Sequence, residues 1–338
     1  MRRSRMNSQS RKKVIAILVL ALLIVSSLMI LEVWDSQKGQ FTGITSTKND
    51  VVKYNGVEYD LNPNVETFLV LGLDKNKNDT SSESHSGGTV QADFLMLFVF
   101  DNEKQTTAAI QINRDTMANV HRLDIAGNHI GVVEKKQIAL AYNYAFDDKG
   151  LINCRNTADS VSDLLLGVKV NHYISLTMDC VVEINDLVGG VEVTVLHDFS
   201  GIDDELVLGE TVTLKGKQAL TYVRTRYGLE DSTNNTRMER QQQYVDALIS
   251  KTVSLIESDG EFVFTLADKL GPFIEYDTTD YRLKQFAEKF DSYEFTGIRT
   301  IEGKSVAGEE FMEFYPDETS IWQIVLDLFY VPKKAKNN

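Results

Sequence analysis

Four arginines lie between positions 224 and 240 of a chain whose formal net charge is −14. Arg224 and Arg226 are two residues apart, so in an extended backbone both side chains point to the same face. Arg237, Arg240 and Gln241 have the i, i+3, i+4 spacing that places side chains on one face of a helix. Guanidinium groups bind phosphate oxygens in pairs, so these residues predict a phosphate-binding site. Spacing alone leaves open that they are solvated or ion-paired surface arginines.

Two aspartates stand at the ends of strongly apolar segments. Asp74 follows the apolar run that begins at residue 67, and Asp93 lies at the start of the run 92–100. Continuous apolar runs of this length are typical of strands buried on both faces. If the two strands pair, both carboxylates meet at one sheet edge, where they suit a magnesium ion shared with substrate phosphates. Turn or cap aspartates are the alternative.

Arg114 and Asp115 follow a third predicted strand, at 106–112. Arg114 would add a fifth guanidinium to the site, and Asp115 would either orient that guanidinium or act as a base. An N-cap aspartate beside an exposed arginine explains the same residues.

Composition and missing motifs exclude several classes of function. The sequence has no H-E-x-x-H, G-x-S-x-G or P-loop motif, and its five histidines show no metal-ligand spacing. The first thirteen residues carry six basic groups and no acidic one. The rest of the chain therefore holds 29 basic and 49 acidic groups, a net charge of −20. A body this acidic repels nucleic-acid phosphates, so we expect no nucleic-acid partner.

The elements that must position these residues alternate between strands and helices. A hairpin is expected at 51–61, around Asn55-Gly56. The other predicted strands are 67–72, 92–100, 106–112, 173–176, 191–196 and 294–301. The predicted helices are 135–147, 156–166, 181–187, a short one leading into Arg224, 237–258 with arginines at its amino end, 261–269, 280–290 and 318–329. Interleaved strands and helices indicate a layered α/β or α+β domain.

A membrane anchor is predicted near the amino terminus. Residues 14–31 form eighteen uncharged positions, enough to cross a bilayer, and the basic flank before them places the amino terminus in the cytoplasm. A cleaved signal peptide is the competing interpretation. Cys154 and Cys180 then lie outside the membrane, where either a disulfide or two buried thiols is possible.

Six short motifs, in order, resemble the LytR-CpsA-Psr family of envelope proteins. The resemblance extends over about residues 66–250, and it ends in the R-x-R and R-x-x-R-Q pairs. The motifs are FLVLGLD (68–74), ADFLML (92–97), INRDT (112–116), LVGGVEV (187–193), LKGKQALTYVRTR (214–226) and RMERQQQ (237–243).

The resemblance implies a single layered α-β-α domain with a central mixed sheet, outside the cell and preceded by one transmembrane helix. It also implies transfer of an anionic or capsule-like glycopolymer from a polyprenyl-pyrophosphate carrier to peptidoglycan, with an apolar tunnel for the lipid. The expected organisation is a cytoplasmic tail (1–13), an anchor (14–34), a linker and hairpin (35–63), the catalytic domain (64–256) and a carboxy-terminal extension packed on it (257–330).

The resemblance also assigns roles to individual residues. Asp74 and Asp93 would hold Mg²⁺ or Mn²⁺ on the pyrophosphate. The residues expected to bind the pyrophosphate, directly or in support, are Arg114, Arg224, Arg226, Arg237, Arg240 and Gln241. Arg114, Asp115, Arg224 and Arg226 would be catalytic.

Some positions depart from the family pattern. Gln91 stands where an arginine is common, Asn113 where proline is common, and Asn234 where an aspartate is common. The segment 137–146 lacks the usual asparagine and glycine, and the loop between Asp74 and Asp93 is longer than usual. Two other functions remain open: a pyrophosphatase that only hydrolyses such lipids, and a non-enzymatic envelope protein or transcription attenuator.

Overall fold

The computed structural model describes residues 45–46, 51–54, 56–75, 90–145, 150–225, 234–259, 261–309 and 311–333. The predicted basic tail, the anchor at 14–34, Asn55 of the hairpin turn and Arg226 all lie outside these ranges. No helix within these ranges combines the length and the apolar character needed to cross a bilayer.

The strands come in a central sheet and several smaller sheets. In chain order they are β1 (Thr45–Ser46), β2 (Val51–Tyr54), β3 (Val57–Leu61), β4 (Val65–Leu73), β5 (Ala92–Asp101), β6 (Thr106–Ile112), β7 (Met117–Leu123), β8 (His129–Gln137), β9 (His172–Thr177), β10 (Val191–Thr194), β11 (Thr211–Leu214), β12 (Ile274–Tyr276), β13 (Glu294–Thr300), β14 (Gly303–Ala307), β15 (Met312–Pro316) and β16 (Tyr330–Pro332).

The helices fall between these strands. They are α1 (Leu151–Leu164), α2 (Met178–Leu187), α3 (Lys217–Arg224), α4 (Asn234–Ser258), α5 (Phe262–Leu270), α6 (Asp280–Ser292) and α7 (Glu318–Phe329), with 3-10 turns at Ile138–Tyr142 and Gly271–Phe273.

The central sheet has six strands in the order β12-β9-β4-β5-β6-β13. β4 pairs with β9 in parallel and β6 pairs with β13 in parallel, whereas β5 runs antiparallel to both of its neighbours. The predicted central mixed sheet is therefore confirmed. The carboxy-terminal part of the chain contributes β12 and β13 to this sheet, and β16 pairs with β3 of the predicted hairpin.

Successive side chains of β4 point to opposite faces of the sheet, and helices cover both faces. Phe68 and Val70 belong to one apolar core with residues of α2, α3, α4, α5 and α6. Leu69 and Leu71 belong to a second core with residues of α1, α7 and the first 3-10 turn. The result is the expected α-β-α layering.

The prediction of a helix at 135–147 is wrong. β8 continues through Gln137, and only a 3-10 turn follows, at Ile138–Tyr142. The apolar run Ile138–Tyr142 is buried in the core beside α1, and a short apolar run has no periodicity that separates a helix from other buried backbone. The β-branched Val132 and Val133 were the signal for the β7–β8 hairpin, which the sequence analysis left unassigned.

Cys154 and Cys180 are both free and buried. Cys154 lies in the core formed with α1, and Cys180 lies in the core on the opposite face of the sheet. The two thiols are thus separated by the sheet. The sequence left open a disulfide or two buried thiols, and the structure has the two buried thiols.

Candidate active site

Asp74 and Asp93 meet at one end of the β4–β5 pair. The strands are antiparallel, and Leu73 lies opposite Ala92, so the residue after one strand faces the start of the other. The ladder shifts between Gly72 and Leu73, where a side chain on Gly72 would come within 2.9 Å of the Phe94 Cβ. The absence of a Cβ at Gly72 permits this close approach. The structure thus brings both aspartates to the same end of the β4–β5 pair, where both line one cavity.

Asp74 is a buried carboxyl group whose ionisation is unfavourable. It is 7% exposed, and its Oδ1 accepts a hydrogen bond of 2.9 Å from the backbone N–H of Gln91. Burial raises the pKa of Asp74 from 3.8 to about 6, and the charge of Asp93 adds to the rise. The N–H of Gln91 and the charges of Arg114 and Arg224 lower the pKa by less. A cation bound here would offset the cost of the buried charge.

Asp93 joins two of the predicted arginines. Its Oδ1 accepts from Nη1 of Arg114, which follows β6, and its Oδ2 lies 3.2 Å from Nη1 of Arg237, in the first turn of α4. Nη2 of Arg114 also donates to Oε1 of Gln91. The side chain of Arg237 is 4% exposed and that of Arg114 is 11% exposed. Three segments distant in sequence thus bring their charges to one point.

Arg224 is the last residue of α3, the short helix predicted to lead into it. Together with Asp74, Asp93 and Arg237, it lines a cavity. Gln241 also lines it, and its Nε2 donates to the Val223 carbonyl at 3.2 Å, beside Arg224. Arg226 lies outside the described residues.

The prediction that Arg240 binds pyrophosphate needs correction. Its side chain is completely buried, with Nε donating to the Tyr222 carbonyl at 2.9 Å and Nη2 donating to the Thr225 carbonyl. Its guanidinium also lies over the Phe199 ring, 5.5 Å from the centroid. Arg240 therefore holds the carboxy-terminal carbonyls of α3, next to Arg224, rather than reaching a ligand. Helical spacing placed it near Arg237 and Gln241 but could not show which side of α4 faces the core.

Asp115 is buried behind Arg114. It is 2% exposed, its Oδ1 lies 3.4 Å from Nε of Arg114, and the same oxygen accepts from Nε2 of Gln137 at 3.0 Å. This arrangement favours the orienting role over the base, since the carboxylate is enclosed and directed at the guanidinium.

The three departures from the family pattern all lie in this cluster. Oδ1 of Asn113 accepts from Nδ2 of Asn234 at 3.0 Å, and Nδ2 of Asn113 donates to Oδ1 of Asn235 at 3.2 Å. These amides tie the Arg114 segment to the start of α4, which carries Arg237. Gln91 in turn joins Asp74 to Arg114. Sequence reasoning noted Gln91, Asn113 and Asn234 only as departures; their position next to the predicted charged residues was the signal that they belong to the site.

A cavity of about 200 Å³ opens at these charged groups. Asp74, Asp93, Arg224, Arg237 and Gln241 lie at its charged part, called here the mouth. Side chains from β9, α2, α3 and α4 line the rest, among them Leu176, Val181, Ile184, Leu220, Val245 and Leu248. The site therefore combines an apolar cavity with a charged mouth, which suits an amphiphile with an anionic head.

The mouth suits a divalent cation only in part. Among the described residues, no group of three or more His, Cys, Asp and Glu side chains is placed to hold a metal ion. Asp74 and Asp93 supply two hard oxygen ligands, and the raised pKa of Asp74 reflects an uncompensated buried charge. Such a pair fits magnesium that takes its remaining ligands from water and substrate phosphates.

Comparisons with known proteins agree with this architecture. The sequence model of the LytR_cpsA_psr family matches residues 36–329. A polyisoprenyl-teichoic acid–peptidoglycan teichoic acid transferase, TagU, from Enterococcus faecalis is 29% identical over 275 residues, which are 78% of this chain and 80% of that protein. Two crystal structures share the fold. TagV of Bacillus subtilis has a TM-score of 0.54 and 21% identity over 78% of this chain and 96% of its own. A protein from Streptococcus agalactiae has a TM-score of 0.59 and 17% identity over 78% of this chain and 86% of its own. With the family model covering most of its length, the chain belongs to the LytR_cpsA_psr family.

Proposed function

We propose that this protein transfers an anionic or capsule-like glycopolymer from a polyprenyl-pyrophosphate carrier onto peptidoglycan. The observation that carries the proposal is the junction of an apolar cavity with a mouth of arginines and paired carboxylates. An amphiphile with a long apolar chain and a pyrophosphate head matches both halves. The name of the Enterococcus faecalis relative, a teichoic acid transferase acting between a polyisoprenyl carrier and peptidoglycan, supports the same class of reaction.

Arg224 and Arg237 of the mouth, and Arg114, which shares Asp93 with Arg237, would supply the charge that phosphoryl transfer requires. In the proposed reaction an acceptor hydroxyl oxygen bonds to the glycan-side phosphorus, the P–O bond to polyprenyl phosphate breaks, and the hydroxyl proton passes to solvent. Arg114, Arg224 and Arg237 would bind the phosphate oxygens and stabilise the charge on the leaving group. The cavity would hold the lipid so that the pyrophosphate stays in the mouth. Arg226 is proposed to assist Arg224.

We further propose that Asp74 and Asp93 hold Mg²⁺ or Mn²⁺ when the donor is bound. The cation would supply positive charge that neutralises the pyrophosphate during the transfer. Asp93 also keeps Arg114 and Arg237 in place, and Asp115 keeps Arg114 oriented. Asp74 contributes the ionised carboxylate, which is disfavoured by its burial unless a cation is near.

The proposed location is the outer face of the cell membrane of a Gram-positive-type bacterium. Residues 14–34 would form a single-pass anchor with the amino terminus in the cytoplasm. This places the mouth in the compartment that contains peptidoglycan, and a lipid carrier in the same membrane would supply the donor.

The test uses the full-length protein in membranes with a polyprenyl-pyrophosphate-linked glycan. Arg224→Ala should abolish turnover, whereas Arg299→Ala, which removes an arginine that donates to the Thr296 carbonyl away from the mouth, should leave it unchanged. Full activity in Arg224→Ala contradicts the proposed site. Release of polyprenyl phosphate that is the same with and without peptidoglycan, and without any product on peptidoglycan, would make the protein a pyrophosphatase instead.

A further inference from the structure

A carboxy-terminal hairpin contacts the segment that carries Arg114. β15, nearly two hundred residues downstream, is linked to that segment by a hydrogen bond of 2.8 Å from the Phe314 N–H to the Asp115 carbonyl. Thr116 and Phe314 also form an isolated parallel bridge. The β14–β15 hairpin is therefore attached to the backbone just behind the candidate active site.

Gln137, the last residue of β8, connects the two segments through its side chain. Its Nε2 donates to the Met312 carbonyl at 2.7 Å and to Oδ1 of Asp115 at 3.0 Å. Gln137 is 7% exposed, so both hydrogen bonds are shielded from water. Hydrogen bonds to a buried charged group are among the stronger ones, and a buried amide with two acceptors has one well-defined orientation.

Asp115, whose position is fixed by the hydrogen bond from Gln137, in turn contacts Arg114. Oδ1 of Asp115, which accepts from Gln137, also lies 3.4 Å from Nε of Arg114. At the other end of the guanidinium, Nη1 and Nη2 are held by Asp93 and Gln91. The contact at Nε is an ion pair without hydrogen-bond geometry, whereas both terminal nitrogens donate hydrogen bonds. Together the three contacts restrict the plane of the guanidinium, which matters for bidentate phosphate binding.

We propose that Gln137 is a positioning residue, which with the Met312 carbonyl fixes Asp115 and so sets the orientation of Arg114 towards the mouth. This rests on the proposed function, in which Arg114 binds the donor pyrophosphate. It makes the carboxy-terminal hairpin part of the support of the active site. A wrongly oriented guanidinium loses more in the transition state than in the ground state, where the lipid and the other arginines keep the donor bound.

A matched control exists in the same region. Asn156 is completely buried, and its Nδ2 donates to the carbonyls of His121 and Ala141 at 3.1 and 2.9 Å. Like Gln137 it is a buried amide that bridges two oxygens of neighbouring segments, but its partners are backbone carbonyls, and neither belongs to Arg114 or Asp115. Asn156→Leu therefore reports the effect of losing such a bridge on folding alone.

The first experiment measures transfer kinetics of the full-length protein. Gln137→Leu should lower kcat at least tenfold and change the KM for the lipid donor less than threefold, whereas Asn156→Leu should keep both values. Gln137→Lys, whose ammonium can donate to the same two oxygens, should restore most of kcat. Wild-type kcat in Gln137→Leu, or an equal loss of kcat in Asn156→Leu at a temperature where both variants are folded, overturns the proposal.

The second experiment does not depend on turnover, so it separates this inference from the proposed reaction. The affinity of the full-length protein for inorganic pyrophosphate is measured by calorimetry in a cycle of Gln137→Leu and Arg114→Ala. Gln137→Leu should weaken binding about two- to threefold in the wild-type background and have no further effect once Arg114 is removed. The same fold loss in both backgrounds, or no loss in either, contradicts a role through Arg114. Pyrophosphate binding with this pattern but no transfer would refute the proposed reaction alone.

Discussion

Replacing Asp74 with asparagine should stabilise the metal-free protein at neutral pH while removing its response to magnesium. The carboxyl of Asp74 is buried beside Asp93, and burial is the largest cause of its raised pKa. Asparagine is almost the same size, keeps an Oδ1 for the backbone N–H of Gln91, and carries no charge. The substitution therefore removes the cost of a buried negative charge, and with it one of the two proposed metal ligands.

The size of the effect follows from the pKa. The folded-state pKa of about 6 lies above the reference value of 3.8, so the folded protein binds this proton more tightly than the unfolded chain. One pKa unit corresponds to about 1.4 kcal/mol, which gives at most about 3 kcal/mol for the full shift. The cost is complete above pH 6 and disappears below about pH 4. Asp74→Asn should therefore raise the free energy of unfolding by about 1–3 kcal/mol at pH 7.5, and by about half as much at pH 5.

The assay is thermal unfolding of the full-length wild type and variant between pH 5 and pH 8, with and without magnesium. The variant should melt several degrees higher than the wild type at pH 7.5 without metal, and the difference should shrink towards pH 5. Asp124→Asn is the control. Hydrogen bonds from Asn128 lower the pKa of Asp124, so removing the charge of Asp124 should not stabilise the folded protein. An Asp74→Asn variant that is less stable than the wild type at every pH would show that the buried charge of Asp74 does not destabilise the fold.

Other predictions concern the cavity and the residues behind it. Ile184→Trp should fill part of the cavity and raise the KM for the lipid donor, with little effect on the affinity for inorganic pyrophosphate. Arg240→Met should lower the free energy of unfolding by about 2–4 kcal/mol in denaturant titration, because two buried carbonyls lose their donor. It should nevertheless weaken pyrophosphate binding less than Arg237→Ala does. A larger loss of binding in Arg240→Met would show that Arg240 belongs to the binding site. Cys180 lines the cavity, and burial raises the pKa of its thiol to about 12. An apolar maleimide should therefore react with it slowly, and more slowly still with polyprenyl phosphate bound. Cys154, which is outside the cavity, should show no lipid effect.

The sequence predicted the elements whose pattern is local and strong. The apolar runs of β4 and β5 predicted two buried strands of the central sheet, whereas their pairing was left as a condition that the structure meets. The 3.6-residue periodicity of α4, with arginines near its amino end, was equally clear. Asp74 and Asp93 stand where paired strands bring them together, but the position of Arg237 beside them was expected only from the family resemblance.

What the sequence could not show depends on tertiary contacts. The β7–β8 hairpin has many exposed positions and no clean alternation, so its strands left little hydrophobic pattern. Arg240 has the spacing of a ligand-binding arginine, but its burial against α3 is decided by the packing of α4. Gln137 is one uncharged residue in a segment predicted to be helical, and its role depends on the Met312 carbonyl, 175 residues away.

The proposed function requires that the cavity and its mouth hold one polyprenyl-pyrophosphate-type lipid. The most direct measurement is mass spectrometry of the lipid that co-purifies with the full-length protein expressed in membranes that contain the carrier, compared with the Ile184→Trp variant. We expect a polyprenyl phosphate or pyrophosphate bound in about equal molar amount to the wild type and strongly depleted in the variant. No polyprenyl lipid on the wild type, or the same amount on a correctly folded variant, would contradict it.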